Sequence, residues 1–224
     1  MAKRAMTAEA KAQKAQAILD KAADMFNSSS YEKIKMSDIA KEMSISNGIL
    51  FVYFKTKEAL FFSLLCREYE KRLARLTEMA EKTRIKKFND FKKLVIQELT
   101  ELVDYNPLYI RLEAMRTAIF EKNVDTETIL RQKMNLYMLM TKLVGLICEN
   151  NVLAQFEVMD ILQAEASIIT GCKLSATLPS EVMDVIEKNG LTGLRRDFKK
   201  DVIDTMICYL DGYRRNHNRA LTDE

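Results

Sequence analysis

The chain has few of the residues that interrupt regular structure. Only two prolines and six glycines occur among its 224 residues, and tryptophan is absent. Proline and glycine are the strongest breakers of helices, so a chain with so few of them is predicted to form long helices. No alternation of apolar and polar residues is long enough to predict a sheet. We therefore expect an all-α fold.

Long apolar runs are also missing. The most apolar windows, residues 59–66 and 136–148, fall well short of the roughly 18 residues that a membrane span needs. The N-terminus has no apolar core or cleavage site typical of a secretion signal. The cysteines show no CxxC spacing, which predicts free thiols; they are Cys66, Cys148, Cys172 and Cys208. We expect a cytoplasmic protein that does not enter a membrane.

Residues of the common catalytic sites are scarce. The single histidine, His217, lies in the C-terminal tail, far in sequence from any cysteine or carboxylate cluster. There is no Glu-x-x-His pair for a metal bundle, no phosphate-binding glycine loop and no nucleophile elbow. We therefore expect no enzymatic activity, no metal and no cofactor. A ligand-responsive binding protein is the class that remains.

The few helix breaks divide the chain clearly. They include Asn106-Pro107, Asn150-Asn151 and Pro179, together with two polar segments at residues 123–125 and 189–193. Between them the pattern predicts helices near residues 7–27, 56–82, 87–105, 107–121, 125–149, 156–177, 180–188 and 197–215. With 48% hydrophobic residues, a chain of this length can fill one or two substantial cores.

Two further helices, both short, are predicted between residues 34 and 57. Ile39, Ala40 and Met43 share one face of the first, which begins near Ser37. The apolar positions of the second segment are Ile45, Leu50 and Phe54. Helices of about two turns are marginal in water because nucleation costs more than so few hydrogen bonds return. They must therefore pack on the longer helix that precedes them.

From Ser46 onward, the residue types suit contact with a nucleic acid. Ser46 and Asn47 can cap a helix and form hydrogen bonds, and Gly48 omits a side chain where a phosphate could approach. A phenol and two cations follow at Tyr53, Lys55 and Lys57. A second helix flanked by phosphate-binding groups is typical of a helix-turn-helix.

This pattern resembles the DNA-binding domain of the tetracycline-repressor (TetR/AcrR) family. The positions that carry the resemblance are Ile39-Ala40, Ser46, Gly48, Leu50, Phe51, Tyr53, Phe54 and Lys57-Glu58. The resemblance implies a three-helix, homeodomain-like DNA-binding domain at residues 1–55 and a helical ligand-binding and dimerisation domain at residues 56–224. It also implies DNA contacts by Ser46, Asn47, Gly48, Phe51 and Tyr53 in or beside the groove, and by Lys57 on the backbone.

Several positions depart from the family pattern. Met36 stands where a threonine commonly caps the second helix and binds phosphate, so Ser37 is a candidate to replace it. Ser44 stands where the turn usually has glycine, and a left-handed serine there would cost roughly 1 kcal/mol. Phe51 replaces a tyrosine and Ile49 an often-found threonine. Both changes favour apolar contact, for example with a thymine methyl group, over polar contact.

The distribution of charge supports DNA binding. Residues 1–57 hold ten Lys or Arg and six Asp or Glu, a net charge of +4, whereas the remaining residues hold 25 and 26, a net charge of −1. Their sum is the overall +3. Positive charge concentrated near the motif is expected of a protein that binds phosphates.

Candidate effector contacts lie on two helices. Helix 107–121 carries a mixed stripe of Tyr109, Glu113, Arg116 and Phe120 beside an apolar stripe that includes Met115. On helix 125–149, Met134, Met138 and Thr141 align, and flexible methionines suit an adaptable site for apolar guests. The residues that we select as effector contacts are Met115, Arg116, Phe120, Met134, Met138 and Thr141. The alternative is that the methionines fill the core and that Glu113 pairs with Arg116 at the surface.

A dimer interface is predicted on the helices near residues 156–177 and 197–215. The first carries small residues at helical spacing: Ala164, Ser167, Gly171 and Ser175. The second carries Phe198, Val202, Met206, Tyr209 and Tyr213. Together they resemble the family's four-helix dimer interface. The alternative is that both helices simply close their own domain.

The sequence thus predicts a homodimeric regulator that binds a palindromic double-stranded DNA operator. It is expected to act as a repressor that a small-molecule effector, with apolar groups favoured, releases from DNA. Two alternatives stay open: a regulator without a small-molecule effector, and a helical ligand carrier whose N-terminal domain no longer binds DNA.

Overall fold

A computed structural model describes residues 7–220, with side chains up to residue 215, so the side chain of His217 lies outside the described part. Helices are the only regular elements within it. They are α1 (Ala8–Ser28), α2 (Met36–Glu42), α3 (Asn47–Tyr53), α4 (Lys57–Lys82), α5 (Phe88–Tyr105), α6 (Pro107–Glu113), a π-helical turn (Arg116–Phe120), α7 (Glu121–Asn123), α8 (Thr126–Cys148), α9 (Gln155–Ala176), α10 (Ser180–Lys188), a 3₁₀ turn (Thr192–Leu194) and α11 (Phe198–Ala220). The predicted all-α fold is confirmed.

The described residues form two compact units. The first contains residues 7–68 and 115–135, and the second contains residues 69–114 and 136–220. The division falls within α4 and α8, each of which is a continuous helix. No helix in the described part is both long enough and apolar enough to cross a membrane.

The prediction of one continuous helix at residues 107–121 is wrong. Helix α6 ends at Glu113, and a π-helical turn follows from Arg116. The N–H of Phe120 donates to the carbonyl of Met115, five residues back, at 3.4 Å, which adds one residue to the turn. No proline or glycine lies between residues 108 and 121, so the sequence carried no signal for the break.

In the first unit, α1 supports the two short helices. It begins at Thr7, whose side-chain oxygen accepts a hydrogen bond from the N–H of Ala10 at 3.2 Å. Its buried face carries Ile18, Leu19, Ala22, Ala23 and Phe26. Helix α2 packs against both α1 and α3 through the fully buried Ile39 and Ala40. The predicted packing of a short helix on the longer one is present for α2, and α3 packs on α2.

Four aromatic rings form a second part of this unit's core. The ring of Phe61 lies 5.4 Å from that of Phe26 and 5.1 Å from that of Tyr31, both edge-on. Phe120, from the π-helical turn, stacks on Phe61 at 6.4 Å and meets Tyr31 at 5.8 Å. Phe120 is fully buried. The π-helical turn thus packs, through Phe120, against the core of the unit that contains the short helices.

A Schellman motif connects α2 to α3. The N–H of Ile45 donates to the carbonyl of Ala40 and the N–H of Ser44 to that of Lys41, both at 3.0 Å. Ser44 has φ 53°, the left-handed conformation that this motif requires. Helix α10 ends in the same motif with Gly190 at the equivalent position and φ 66°. The molecule therefore uses serine in one copy of the motif and glycine in the other.

The two motifs supply a reciprocal stability test. Ser44→Gly should raise the free energy of unfolding by roughly 1 kcal/mol, because glycine adopts positive φ without steric strain. Gly190→Ser should lower it by a similar amount, since a Cβ there meets no neighbour within 4 Å and only the backbone conformation is penalised. Urea unfolding monitored by circular dichroism measures both. Equal stabilities of Ser44→Gly and the parent chain would contradict this account of the turn.

Candidate nucleic-acid interface

Helix α3 has one face turned into the first unit and one turned outward. Leu50 is fully buried, and Phe54, one turn later, is buried as well. The outward face is exposed and carries Asn47, Gly48, Ile49, Phe51 and Val52. The inward contacts fix the helix, and the outward face is available to a binding partner.

Ser46 caps α3. Its side-chain oxygen accepts a hydrogen bond from the N–H of Ile49 at 3.3 Å, which satisfies one of the unpaired donors of the first turn. Asn47 and Gly48 follow, both exposed. A Cβ added to Gly48 would meet only the Ser46 hydroxyl, at an ordinary 3.8 Å. The fold itself therefore does not require glycine at this position.

The start of α2 differs from the usual family arrangement. The capping position is Lys35, and no side chain forms a capping hydrogen bond there. Ser37 is exposed in the first turn, with its hydroxyl 3.5 Å from a carboxylate oxygen of Asp38. Ser37 thus does not cap the helix, and its hydroxyl lies on the surface of the first unit.

Tyr53 and Lys57 stand at the end of α3 and the start of α4. Tyr53 is half-buried. The Lys57 ammonium donates to the backbone carbonyl of Tyr31 and lies 3.8 Å from the centre of the Tyr31 ring. The Tyr31 hydroxyl donates to the carboxylate of Glu58 at 2.9 Å. Tyr31 therefore holds the first two residues of α4.

Burial shifts the pKa values of Lys57 and Tyr31. It lowers the pKa of Lys57, against the opposing charges of Glu58 and Glu32. Burial raises the pKa of Tyr31, and the hydrogen bond to Glu58 raises it further. The role of Tyr31 was missed in the sequence because it depends on a contact between residues far apart in the chain.

The predicted effector residues have different environments. Phe120 lies in the aromatic core of the first unit, and the Arg116 guanidinium is 3.3 Å from Glu121. Met115 is half-buried, whereas Met134 and Met138 are 59% and 72% exposed and Thr141 is exposed as well. The alternative interpretation placed the methionines in the core and Glu113 at the surface, and both placements are wrong. The methionines do not fill the core, and the Glu113 side chain is buried, where it accepts a hydrogen bond from Tyr69.

A buried charged network occupies the second unit. The Arg72 guanidinium donates to Glu98 and to Glu165, each at 2.7 Å, and to the hydroxyl of Tyr109 at 3.0 Å. Arg75 donates to the other oxygen of Glu98 at 2.6 Å. Apolar residues from α4, α5, α6, α8, α9 and α11 form the surrounding core.

The two carboxylates of this network ionise differently. Burial opposes the ionisation of Glu98, but the charge of Arg72 and hydrogen bonds from Arg72 and Arg75 outweigh it and lower the pKa. Burial raises the pKa of Glu165, because Arg72 offsets only part of the desolvation and the Glu98 charge adds to it. The network was missed in the sequence, although a signal existed: Glu165 lies one helical turn from both Ile161 and Ile169, in a core position.

The helices predicted to dimerise pack against each other within the second unit. On α9, Ser167, Gly171 and Ser175 are exposed. On α11, Val202 and Met206 are fully buried in the protomer's own core, contrary to their assignment to a dimer surface. The exposed face of α11 instead presents Thr205 and Cys208.

A capped, surface-exposed second helix joined by a Schellman turn to a helix that packs on α1 is a helix-turn-helix, here followed by a larger helical unit. This combination defines the class of helix-turn-helix regulators. Residues 18–64 match the family model "Bacterial regulatory proteins, tetR family", and residues 66–217 match "Tetracyclin repressor-like, C-terminal domain". The chain belongs to the TetR family of DNA-binding transcriptional regulators, and it is not an enzyme.

The chain is similar to a protein of solved structure and to a curated protein sequence. A TetR transcriptional regulator from Legionella pneumophila has the same fold, with a TM-score of 0.53 and 15% identity over 92% of this chain and 99% of that one. The "Uncharacterized HTH-type transcriptional regulator YuxN" of Bacillus subtilis (strain 168) is 34% identical over 70 residues, which is 31% of this chain. That match spans about a quarter, 24%, of the length of YuxN.

The charged network predicts unequal effects of two similar substitutions. Glu98→Gln should lower the free energy of unfolding at pH 7 by about 3 kcal/mol, because it removes the ionised partner of Arg72 and Arg75. Glu165→Gln should cost less, since it keeps an acceptor for Arg72 and removes a carboxylate that burial disfavours. Urea unfolding of the two variants measures the difference. Equal losses would contradict the assignment.

The pH dependence has a defined sign. The raised pKa of Glu165 means that the folded state keeps a proton that the unfolded state loses above about pH 4.3, so this group reduces stability as pH rises. The stability of Glu165→Gln relative to the parent chain should therefore increase between pH 4 and pH 8. A decrease over that range would show that Glu165 is stabilised as an anion.

Proposed function

We propose that this regulator binds a palindromic double-stranded DNA operator as a homodimer, represses transcription there, and is released by a small-molecule effector. The observation that carries the DNA-binding part is the outward face of α3. It is exposed, held in place by Leu50 and Phe54, and includes a glycine, Gly48, that the fold does not need.

Gly48 supports a close approach of DNA to the α3 backbone. Glycine costs up to about 1 kcal/mol relative to alanine in a helix, and no neighbour in the chain excludes a Cβ at this position in the first turn of α3. The glycine therefore lowers the stability of α3 without improving the packing of the chain. Close packing of an external partner on the backbone would offset this loss of stability.

We assign the remaining DNA contacts to the residues around this point. Ser46 and Asn47 would stand at the groove, with Phe51 and Tyr53 beside them. Ser37 and Lys57 would contact the phosphate backbone, where electrostatic attraction supplies much of the affinity. For Lys57, this requires its ammonium to reach a phosphate from its position on Tyr31.

The homodimer is proposed through α9 and α11. Small exposed residues at helical spacing on α9 would allow a partner helix to approach closely, and α11 adds Thr205 and Cys208 beside them. Two-fold symmetry would place two α3 helices on half-sites about 34–36 Å apart, which is one turn of DNA.

Effector release is proposed to act through α4. This single helix begins with Lys57 and continues through Arg72 of the charged network, so a shift of α4 would change the position of Lys57. Met115, Arg116, Phe120, Met134, Met138 and Thr141 are the proposed effector contacts. The exposed methionines of α8 favour an apolar effector. Coupling of this type is typically about 1–3 kcal/mol and reciprocal.

We also propose a domain boundary near residue 56, with the DNA-binding domain before it and the effector-binding and dimerisation domain after it. A cytoplasmic location follows from the proposed contact with DNA, and the absence of disulfides among the four cysteines agrees with it.

Gly48→Ala separates folding from DNA binding. The variant should be as stable as the parent or up to about 1 kcal/mol more stable. It should bind DNA at least about tenfold more weakly, because the new methyl group prevents close approach, and tenfold corresponds to about 1.4 kcal/mol. Fluorescence anisotropy with a duplex selected from a random pool by the full chain measures the affinity.

The matched control for this variant is Gly145→Ala. Gly145 is also exposed and helical, and a Cβ there meets nothing within 4 Å. The control should gain stability without any change in DNA affinity. Unchanged DNA affinity in Gly48→Ala would show that α3 does not approach DNA at this residue.

Gly171→Arg tests the dimer. A Cβ at Gly171 meets nothing within 4 Å in the protomer, so the arginine should leave the fold intact while its bulk and charge block the α9 interface. Size-exclusion chromatography with light scattering should show a dimer for the parent chain and for Gly145→Arg, and a monomer for Gly171→Arg. A parent chain that is strictly monomeric would rule out the palindromic-operator model.

A further inference from the structure

The outward face of α3 is unusually apolar for a surface that faces water. Ile49 and Phe51 are each 46% exposed, and Val52 is 70% exposed. Elsewhere in the short helices, Ile39 and Leu50 are fully buried. Three of the seven residues of α3 are thus exposed apolar side chains, and helical spacing places them side by side, as an apolar patch, on the outward face.

The helix geometry places Val52 at the centre of this patch. Gly48 and Val52 are four residues apart and therefore lie on one line along the outward face, with Ile49 and Phe51 on either side. Because Gly48 has no side chain, the helix surface is recessed at this residue. A partner can therefore come close to the backbone there. Val52 and its two neighbours then reach furthest into the partner.

Polar side chains that read bases are scarce on the same face. Arginine and lysine donate to guanine, and glutamate and aspartate accept from cytosine; none of the four occurs within α3. Asn47 is the exposed amide of the helix and is suited to an adenine edge. The cations near α3, Lys55 and Lys57, lie beyond its end, where the backbone of DNA is the expected contact.

The one apolar group on the major-groove edge of DNA is the C5-methyl of thymine. We infer that α3 selects its operator chiefly by packing Val52, Ile49 and Phe51 against thymine methyl groups, with Asn47 on a neighbouring adenine. The inference rests on the proposed function and adds the chemistry by which the DNA sequence is distinguished. Each half-site should accordingly have a core of A·T pairs.

Deoxyuridine provides the sharpest test, because it keeps every hydrogen-bonding group of thymidine and lacks only the methyl. The full chain is first used to select a preferred duplex from a random pool. Thymidines of that duplex are then replaced singly by deoxyuridine, and Kd is measured by fluorescence anisotropy at fixed salt.

Removal of one contacted methyl should weaken binding about fourfold, the value expected for one buried methyl-sized group. Removal of the symmetry-related pair should weaken it about sixteenfold, since distant sites add. Replacement of a contacted thymine by cytosine should weaken binding. The duplex with 5-methylcytosine at that position should then bind about fourfold more tightly than the duplex with cytosine.

Val52→Ala identifies the side chain involved. In this variant the ratio of Kd values for the uridine and thymidine duplexes should fall toward one at the position that Val52 contacts. Val182→Ala is the matched control, because Val182 is an exposed valine on another helix, α10, and it should leave the ratio unchanged. Circular dichroism confirms that both variants are folded.

Two results would overturn the inference, and they differ from each other. If a preferred duplex is selected and uridine has no effect at any thymidine, α3 does not read methyl groups and its apolar patch packs on something else, such as a protein. If no duplex is enriched over random sequence, the proposed function itself fails.

Discussion

Burial of Leu50 and Phe54 is the interaction on which the proposed DNA-binding surface depends. Helix α3 has only seven residues, too few for its own hydrogen bonds to hold it in water. The two inward side chains therefore provide its stability, together with the Ser46 cap at one end and the Schellman turn before it. Because none of these contacts uses the outward side chains of α3, those residues can be chosen for the proposed contact with DNA.

The same constraint explains which features were predictable from sequence. Leu50 and Phe54 share a helical face, and the breaks at Pro107 and Pro179 mark helix starts, so local patterns predicted most helices. The resemblance placed Ser44 where the turn usually has glycine and left its conformation as a condition, which the φ of 53° meets. Features that depend on distant contacts were not predictable. No local pattern links Lys57 to Tyr31, and none indicates that the turn before Phe120 gains a residue.

The charged network in the second unit illustrates a different limit of prediction from sequence. Arg72, Glu98 and Glu165 lie in positions that helical spacing assigns to the core, where charges are costly unless they are paired. Spacing alone can show that a charged residue falls on a buried face, but it cannot identify its partner on another helix. Buried networks of this kind contribute little net stability compared with apolar packing, while loss of one partner is costly. In this protein the network joins α4, α5, α6 and α9.

The central claim is that the full chain recognises a particular DNA sequence with two copies of α3. It is tested most directly by titrating the chain into its selected duplex and into a scrambled duplex of equal composition, at several salt concentrations. The account predicts two chains per selected duplex, binding at least about a thousandfold tighter than to the scrambled one, and a log Kd that changes linearly with log salt. Equal affinity for the two duplexes at every salt concentration would contradict it.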